Sequence, residues 1–265
     1  MARNILKAAA LALALGAALV FQTTAAFASH PLVTNDAGTE GKGHYLLEIN
    51  TEYTHDKEDG AKETGAELEV AFTAGLRDNL DLALGVPYAW SRVKEGGAVT
   101  SEEDGVSDVS VELKWKFFEH EGLALALKPE VTLPTGDEDR GLGNGRASYS
   151  MAFILSREFE RWALHANLSY ARNEFKLDAD DDANRHDIWH ASVAAEFSAT
   201  ERLKVVGNVG VETNPERESS TCPAFALAGL VYSVTDNVSV DAGVKAGLTS
   251  TETDLAVLAG VAISF

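Results

Sequence analysis

The chain has a single cysteine, Cys222, which excludes an intrachain disulfide and a thiolate metal cluster. Basic residues are scarce. Twenty-two Lys and Arg stand against 41 Asp and Glu, a formal net charge of −19. That balance argues against a nucleic-acid partner, because phosphate backbones select basic surfaces. Long apolar runs are missing beyond the N-terminus, so no later segment reaches the ~20 residues a spanning helix needs. The G-x-S-x-G, H-E-x-x-H and phosphate-loop patterns are also absent, and no cofactor, metal site or enzymatic activity is expected.

The first 28 residues carry the marks of a secretory signal. Arg3 and Lys7 give a positive start, Ala8 to Phe21 an apolar stretch, and Ala26-Phe27-Ala28 a small-x-small cleavage site. The mature chain is therefore expected to begin at Ser29, with residues 29–42 as a lead-in and 43–265 as the main domain.

What the sequence does have is alternation. Near its end, Leu255, Val257, Ala259, Val261, Ile263 and Phe265 fall on one face, and Ala256, Leu258, Gly260, Ala262 and Ser264 on the other, with only Leu258 out of place. A period of two is a β-strand with two chemically different faces. The same pattern predicts strands at about 43–55, 64–76, 80–93, 106–118, 123–135, 146–157, 161–175, 186–198, 202–213, 222–233 and 237–249, with a twelfth at the C-terminus. Loops are expected at 55–63, 94–105, 136–145, 176–185 and 214–221, and short turns on the opposite side. Twelve is even, as a closed antiparallel barrel requires when both ends lie on one side. The expected class is all-β: a transmembrane antiparallel up-and-down barrel whose apolar face meets lipid.

The apolar faces support this. Leu80, Leu82, Leu84, Val86, Tyr88 and Trp90 share one face, as do Trp162, Leu164, Ala166, Leu168 and Tyr170. Tyr53, Tyr88, Trp90, Tyr170 and Trp189 gather toward the loop side; Phe117, Trp162, Phe197 and Phe265 gather toward the turn side. Such rings at both headgroup levels form the girdles of a membrane barrel. Pro87, Pro129 and Pro134 interrupt the pattern, and each requires a bulge or a height where pairing has stopped.

The opposite faces are polar. Glu48, Glu52, Glu67, Glu69, Glu112, Lys114, Lys116, Lys128, Glu130, His165, Asn167, Lys204, Asn208, Asp241 and Lys245 are candidate lumen-lining residues. A Lys facing mid-bilayer lipid costs about 2–4 kcal/mol and an Asp or Glu somewhat less, so these groups are expected to face inward. They fit either an ion-paired interior or a polar pathway. Small inward residues, among them Ala83, Gly85, Ala124, Ala194, Ala226, Ala228 and Gly243, leave space. Eight strands fill with side chains and sixteen hold an aqueous channel, so twelve suits a narrow passage.

Two local patterns carry little chemistry. Asp178, Asp180, Asp181 and Asp182 lack the central Gly and terminal Glu of a calcium loop. His190 and Ser192 share one strand face, but Trp189, Ala191 and Val193 claim the lipid side, which turns this pair inward and away from a lipid substrate.

Two segments go beyond pattern. His30-Pro31-Leu32-Val33-Thr34-Asn35-Asp36-Ala37-Gly38-Thr39 with Gly41-Lys42-Gly43, and Leu133-Pro134-Thr135-Gly136-Asp137 with Gly141-Leu142-Gly143-Asn144-Gly145, resemble the outer-membrane family named "putative meta-pathway of phenol degradation". His30 stands where Arg is frequent and Asn35 where Asp is frequent. The resemblance implies an outer-membrane barrel of transporter type, with hydrophobic aromatic compounds as the solutes its name suggests. The expected partners are outer-membrane lipid along the apolar face, a small-molecule solute, and the barrel-assembly machinery reached through the strand that ends at Phe265. The glycine-rich opening, with Pro31, Thr34, Asp36 and Gly38, is too polar for a strand interior and is a candidate periplasmic plug.

Overall fold

The computed structural model describes residues 30–58 and 61–265; the expected signal sequence lies outside them. The strands are β1 (Tyr45–Glu58), β2 (Ala61–Arg77), β3 (Leu80–Glu95), β4 (Ala98–Val106), β5 (Val109–His120), β6 (Leu123–Leu133), β7 (Ser148–Phe159), β8 (Trp162–Arg172), β9 (Asp187–Ser198), β10 (Leu203–Glu212), β11 (Ala224–Ser233), β12 (Val238–Gly247) and β13 (Leu255–Ser264). Every pairing is antiparallel, and β13 pairs back onto β1 from Leu46↔Ser264 to His55↔Leu255. The sheet closes. Because β4 and β5 both pair with β3, one above the other, the thirteen segments make twelve staves. This is the twelve-strand transmembrane barrel that the alternation predicts.

Directly opposed residues in an antiparallel pair share a face, so closure sorts every side chain in or out. Leu84, Trp115, Leu168, Val193, Val209, Leu230, Val244 and Val257 all stand exposed on the outer wall. A soluble protein would bury such residues; a wall wetted by hydrocarbon leaves them outside. Rings meet at both rims: Trp162 lies 4.7 Å from Phe197 on the turn side, and Tyr170 lies 5.1 Å from Trp189 on the loop side. Tyr45, Phe72 and Phe265 stack across the seam where β13 meets β1.

The prolines sit where the ladder is interrupted. Pro87 lies between Gly85↔Ser110 and Tyr88↔Val106, at the junction of β4 and β5. The β5–β6 ladder lacks the pairs between Glu112↔Glu130 and Trp115↔Leu127, and Pro129 falls in that gap. Pro134 follows the last residue of β6.

Several expectations need correction. Residues 94–105 are not a loop: β3 runs to Glu95, turns at Gly96 and Gly97, both at positive φ, and returns as β4. Their polar composition matches a loop, but two strands rising beyond the membrane need no apolar face. The same holds at 55–63, where Asp56 pairs with Glu63 and Lys57 with Lys62. Asp178–Ala183, expected as loop, forms a short helix, α1. The faces of β11 are also reversed. Phe225 and Leu227 point inward, each 4% exposed, because they pair with Gly210 and the inward Asn208. Ala226 and Ala228 therefore face out. Gly210 is what admits Phe225: a Cβ there would lie 2.5 Å from the ring.

Candidate functional site: the lumen and the N-terminal segment

Residues 30–42 do not hang below the barrel. They run inside it, and the wall supplies their hydrogen-bond partners. Asn208 Oδ1 accepts from the backbone N–H groups of Val33 at 2.8 Å and Thr34 at 3.0 Å, while Asn208 Nδ2 donates to Thr34 Oγ1 at 2.7 Å. Thr34 Oγ1 donates to Ser192 Oγ at 2.7 Å, and Thr34 is 0% exposed. The Ala37 N–H donates to Ser156 Oγ at 2.8 Å, and the Glu40 N–H to Asp81 Oδ2 at 3.0 Å. Lys128 Nζ donates to Asn35 Oδ1 at 3.2 Å, and His30 Nδ1 lies 2.6 Å from Asp241 Oδ1. With the Asn167 amide turned to match its neighbours, it pairs with the Asn35 backbone at 2.7 and 2.9 Å. Every polar backbone group taken from water needs such a partner, which is why this wall carries Asn, Ser and Asp at these heights.

Apolar contacts complete the docking. Leu32 packs in one buried cluster with Ala194, Val206, Phe225, Leu227 and Leu258. Leu258, the residue out of place in the C-terminal alternation, belongs to this inward patch. Pro31 fits against Gly229 and Gly243, where a Cβ would approach its ring to within 2.9 Å or less.

On the other side of the segment, toward β1–β3, β5 and β6, lies a cavity of about 600 Å³. Asp36, Gly38 and Glu40 of the segment line it with Glu48, Glu69, Asp81, Glu112, Lys114, Lys116, Lys128, His165, Glu196 and Lys204 of the wall. Three of its lysines are paired: Lys128 with Glu112 at 2.9 Å, Lys204 with Glu196 at 2.8 Å, and Lys116 with Glu119 at 2.6 Å. Lys114 instead stands in the fields of Asp36, Asp81, Glu40 and Glu48. Burial first, and then the neighbouring Asp81 carboxylate, push the Glu40 carboxyl from 4.5 up to about 7, with Lys114 acting in the opposite sense.

The loop between β6 and β7 is clamped near the outer mouth. Asp108, between β4 and β5, accepts from the N–H groups of Gly136 and Asn144, both at 2.9 Å. A Cβ on Gly143 would lie 2.2 Å from Asp108 Oδ1, so the clamp needs glycine there. The Gly-rich stretch singled out in the sequence is the part this aspartate holds.

The family model described as "Putative MetA-pathway of phenol degradation" matches residues 34–265. The chain belongs to this family. No curated protein matches it by sequence. Among solved structures, it is similar to the COG4313 outer membrane channel from Pseudomonas putida F1, at 12% identity over 87% of this chain and 98% of that one, with a TM-score of 0.68. It is similar also to the NanC porin, at 11% identity over 83% and 98% of the two chains, and to the KdgM porin, at 9% identity over 83% and 99%, each with a TM-score of 0.53. At such identities the likeness establishes the fold.

In this family member the candidate lumen residues divide into three groups. Glu48, Glu69, Glu112, Lys114, Lys116, Lys128, His165 and Lys204 share the cavity. Asn167, Asn208 and Asp241 lie against the N-terminal segment. Glu52 and Glu67 pair across β1 and β2 nearer the loops, where Lys245 reaches Glu52 at 3.1 Å, and Glu130 accepts from Ser150 at 3.3 Å. His190 and Ser192 are engaged separately, with Glu212 at 3.5 Å and with Thr34. Sequence reasoning passed over Asp81, Glu40, Ser156 and Glu196. Asp81 was legible as the polar residue between Leu80 and Leu82. Glu40 carried no periodic signal, because it lies outside any strand.

Proposed function

We propose that this protein is an outer-membrane channel for small solutes, and that residues 30–42 act as its plug. The observation that carries the reading is a polar cavity inside a closed, lipid-facing wall, bounded on one side by a segment held through its own backbone. Hydrogen bonds to Asn208, Ser192, Ser156 and Asp81 hold that segment in the lumen. Solute moves when the segment shifts away from this wall. The family description and the similar channel and porin folds support transport, and the same description suggests an aromatic solute. The lumen residues act by lining and positioning; no bond to the solute is made or broken.

Proteoliposomes test the reading. Barrel-loaded vesicles should swell faster than empty ones in glycine, and should take up labelled 4-hydroxybenzyl alcohol, a neutral phenolic probe, above the rate of its passage through lipid. A sealed structural barrel is the second reading, favoured by the Lys128–Glu112, Lys204–Glu196 and Lys245–Glu52 pairs that brace the interior. Rates equal to those of empty vesicles for both probes would favour it.

A further inference from the structure

The chain has a net charge of −19, yet one part of its outer surface is basic. It lies on the loop side, where β1 to β4 continue past the ring of aromatics. Directly opposed residues share a face, so the pairing lays this surface out in rungs. The lowest runs Tyr53, Ala66, Trp90 and Asp104. One outward step higher come His55, Thr64, Arg92 and Glu102. The next holds Lys57, Lys62 and Lys94, three lysines side by side on three adjacent strands. The inward rung between these two carries Asp56 and Glu63. On β1 and β2 charge is thus sorted by face, with bases outward and acids inward.

Contacts within the protein do not account for the lysine rung. Like charges directly opposed on a sheet destabilise it, and Lys62 faces Lys57 on one side and Lys94 on the other. Among the described residues none of the three has an acidic partner, whereas Arg92, one rung below, is joined to Glu102. Tyr88 donates to Asp104, so the nearest outward acids of β4 are both engaged. Lys57 and Lys62 are exposed and Lys94 is half-buried.

Height supplies the missing partner. Tyr53 and Trp90 belong to the aromatic girdle, which sits at headgroup level. Along β1 the step from Tyr53 to Lys57 is about 13 Å of strand, or about 10 Å of height at barrel tilt. The headgroup layer is on the order of 5–7 Å deep, and long lysine stems reach back down to it. We propose that the outer face of β1–β3 binds the phosphorylated headgroup of an outer-leaflet lipid, with Lys57, Lys62 and Lys94 as its phosphate contacts. Phosphate fits because it is the anion fixed at that height, and lysine meets it as a point charge. Each lysine near an anionic membrane surface contributes about fivefold in affinity, so three contribute on the order of a hundredfold. The site faces away from the lumen and does not depend on whether the barrel conducts.

The test uses the full chain in neutral detergent, titrated with bis-phosphorylated lipid A and followed by native mass spectrometry. Binding should be saturable and one-to-one. The Lys57→Gln, Lys62→Gln, Lys94→Gln triple variant should lose affinity on the order of a hundredfold, and Lys62→Gln alone about fivefold. A phosphate-free form of the same lipid should bind the parent only as weakly as lipid A binds the triple variant. With the like-charge rung removed, the triple variant should be no less stable than the parent in lipid-free detergent, read by heat-modifiability. Lys62→Gln carries the test should the triple variant fail to assemble. Equal affinity for the two lipids, or an assembled variant that binds like the parent, overturns the proposal. Displacement of the lipid by an equimolar amount of inorganic phosphate would assign the rung to free phosphate and overturn the lipid reading.

Discussion

Asn208→Leu removes the acceptor that holds the N-terminal segment at its midpoint. Leucine is close in volume and cannot bond, so the N–H groups of Val33 and Thr34 both lose their partner. Thr34 is fully buried, and its orphaned N–H should cost about 1–3 kcal/mol. The half-exposed Val33 N–H regains water more readily and should cost about 0.5–1.5 kcal/mol. Together the docked state weakens by about 1.5–4.5 kcal/mol, which is a roughly 10- to 1,600-fold rise in the undocked fraction at about 1.4 kcal/mol per tenfold. A reporter is available at Leu32, which is 8% exposed within the apolar cluster. With exposed Cys222 changed to serine, Leu32→Cys is modified by a water-soluble maleimide only when the segment leaves the wall. Where opening is fast relative to labelling, the rate follows the open population. Asn208→Leu should therefore accelerate labelling by the same factor. An unchanged rate would mean that these bonds do not hold the segment against the wall.

Other perturbations test separate links. Glu40 has a docked carboxyl raised to about 7 from 4.5, so the docked segment binds its proton more tightly than the free one. Docking should strengthen as pH falls through 7 and level off below 4.5, by up to ~3 kcal/mol; Leu32→Cys labelling should slow over that window, and Glu40→Gln should flatten the profile. Gly260→Ala places a Cβ within 2.5–2.8 Å of Asp241, His30 and Asn50, so it should displace His30 while leaving the barrel assembled, read as faster labelling with unchanged heat-modifiability. Leu168→Arg puts a charge on the lipid face near mid-strand and should cost about 2–4 kcal/mol of barrel stability in phospholipid, measured by urea unfolding; Glu67→Arg, on the inward face, should cost far less.

The period-two alternation made the wall legible because lipid and lumen impose opposite chemistry on neighbouring residues. Leu84, Trp115 and Leu168 could be assigned to the outside from spacing alone. The alternation misled at β11, where Phe225 and Leu227 are inward: their apolar character serves Leu32 of the N-terminal segment, and no strand-local signal reveals that partner. Loop lengths were over-read at 55–63 and 94–105, since strands that rise past the membrane lose their apolar face and look like loops. For the candidate site, individual inward charges were legible, but their grouping was not. The Lys128–Glu112 pair joins neighbouring strands, whereas Asp36, Glu40 and Asp81 meet Lys114 only because the N-terminal segment folds back through the barrel. Contacts across the lumen depend on three-dimensional closure, and a linear pattern holds no record of them.

Single-channel recording of the full chain beside a version lacking residues 30–42 shows whether this segment closes the lumen. If the closed wall encloses a solute path and this segment blocks it, the shortened barrel should carry several times the current of the intact one in the same salt. Equal currents from the two would place the barrier elsewhere in the barrel and rule out a plugging role for residues 30–42.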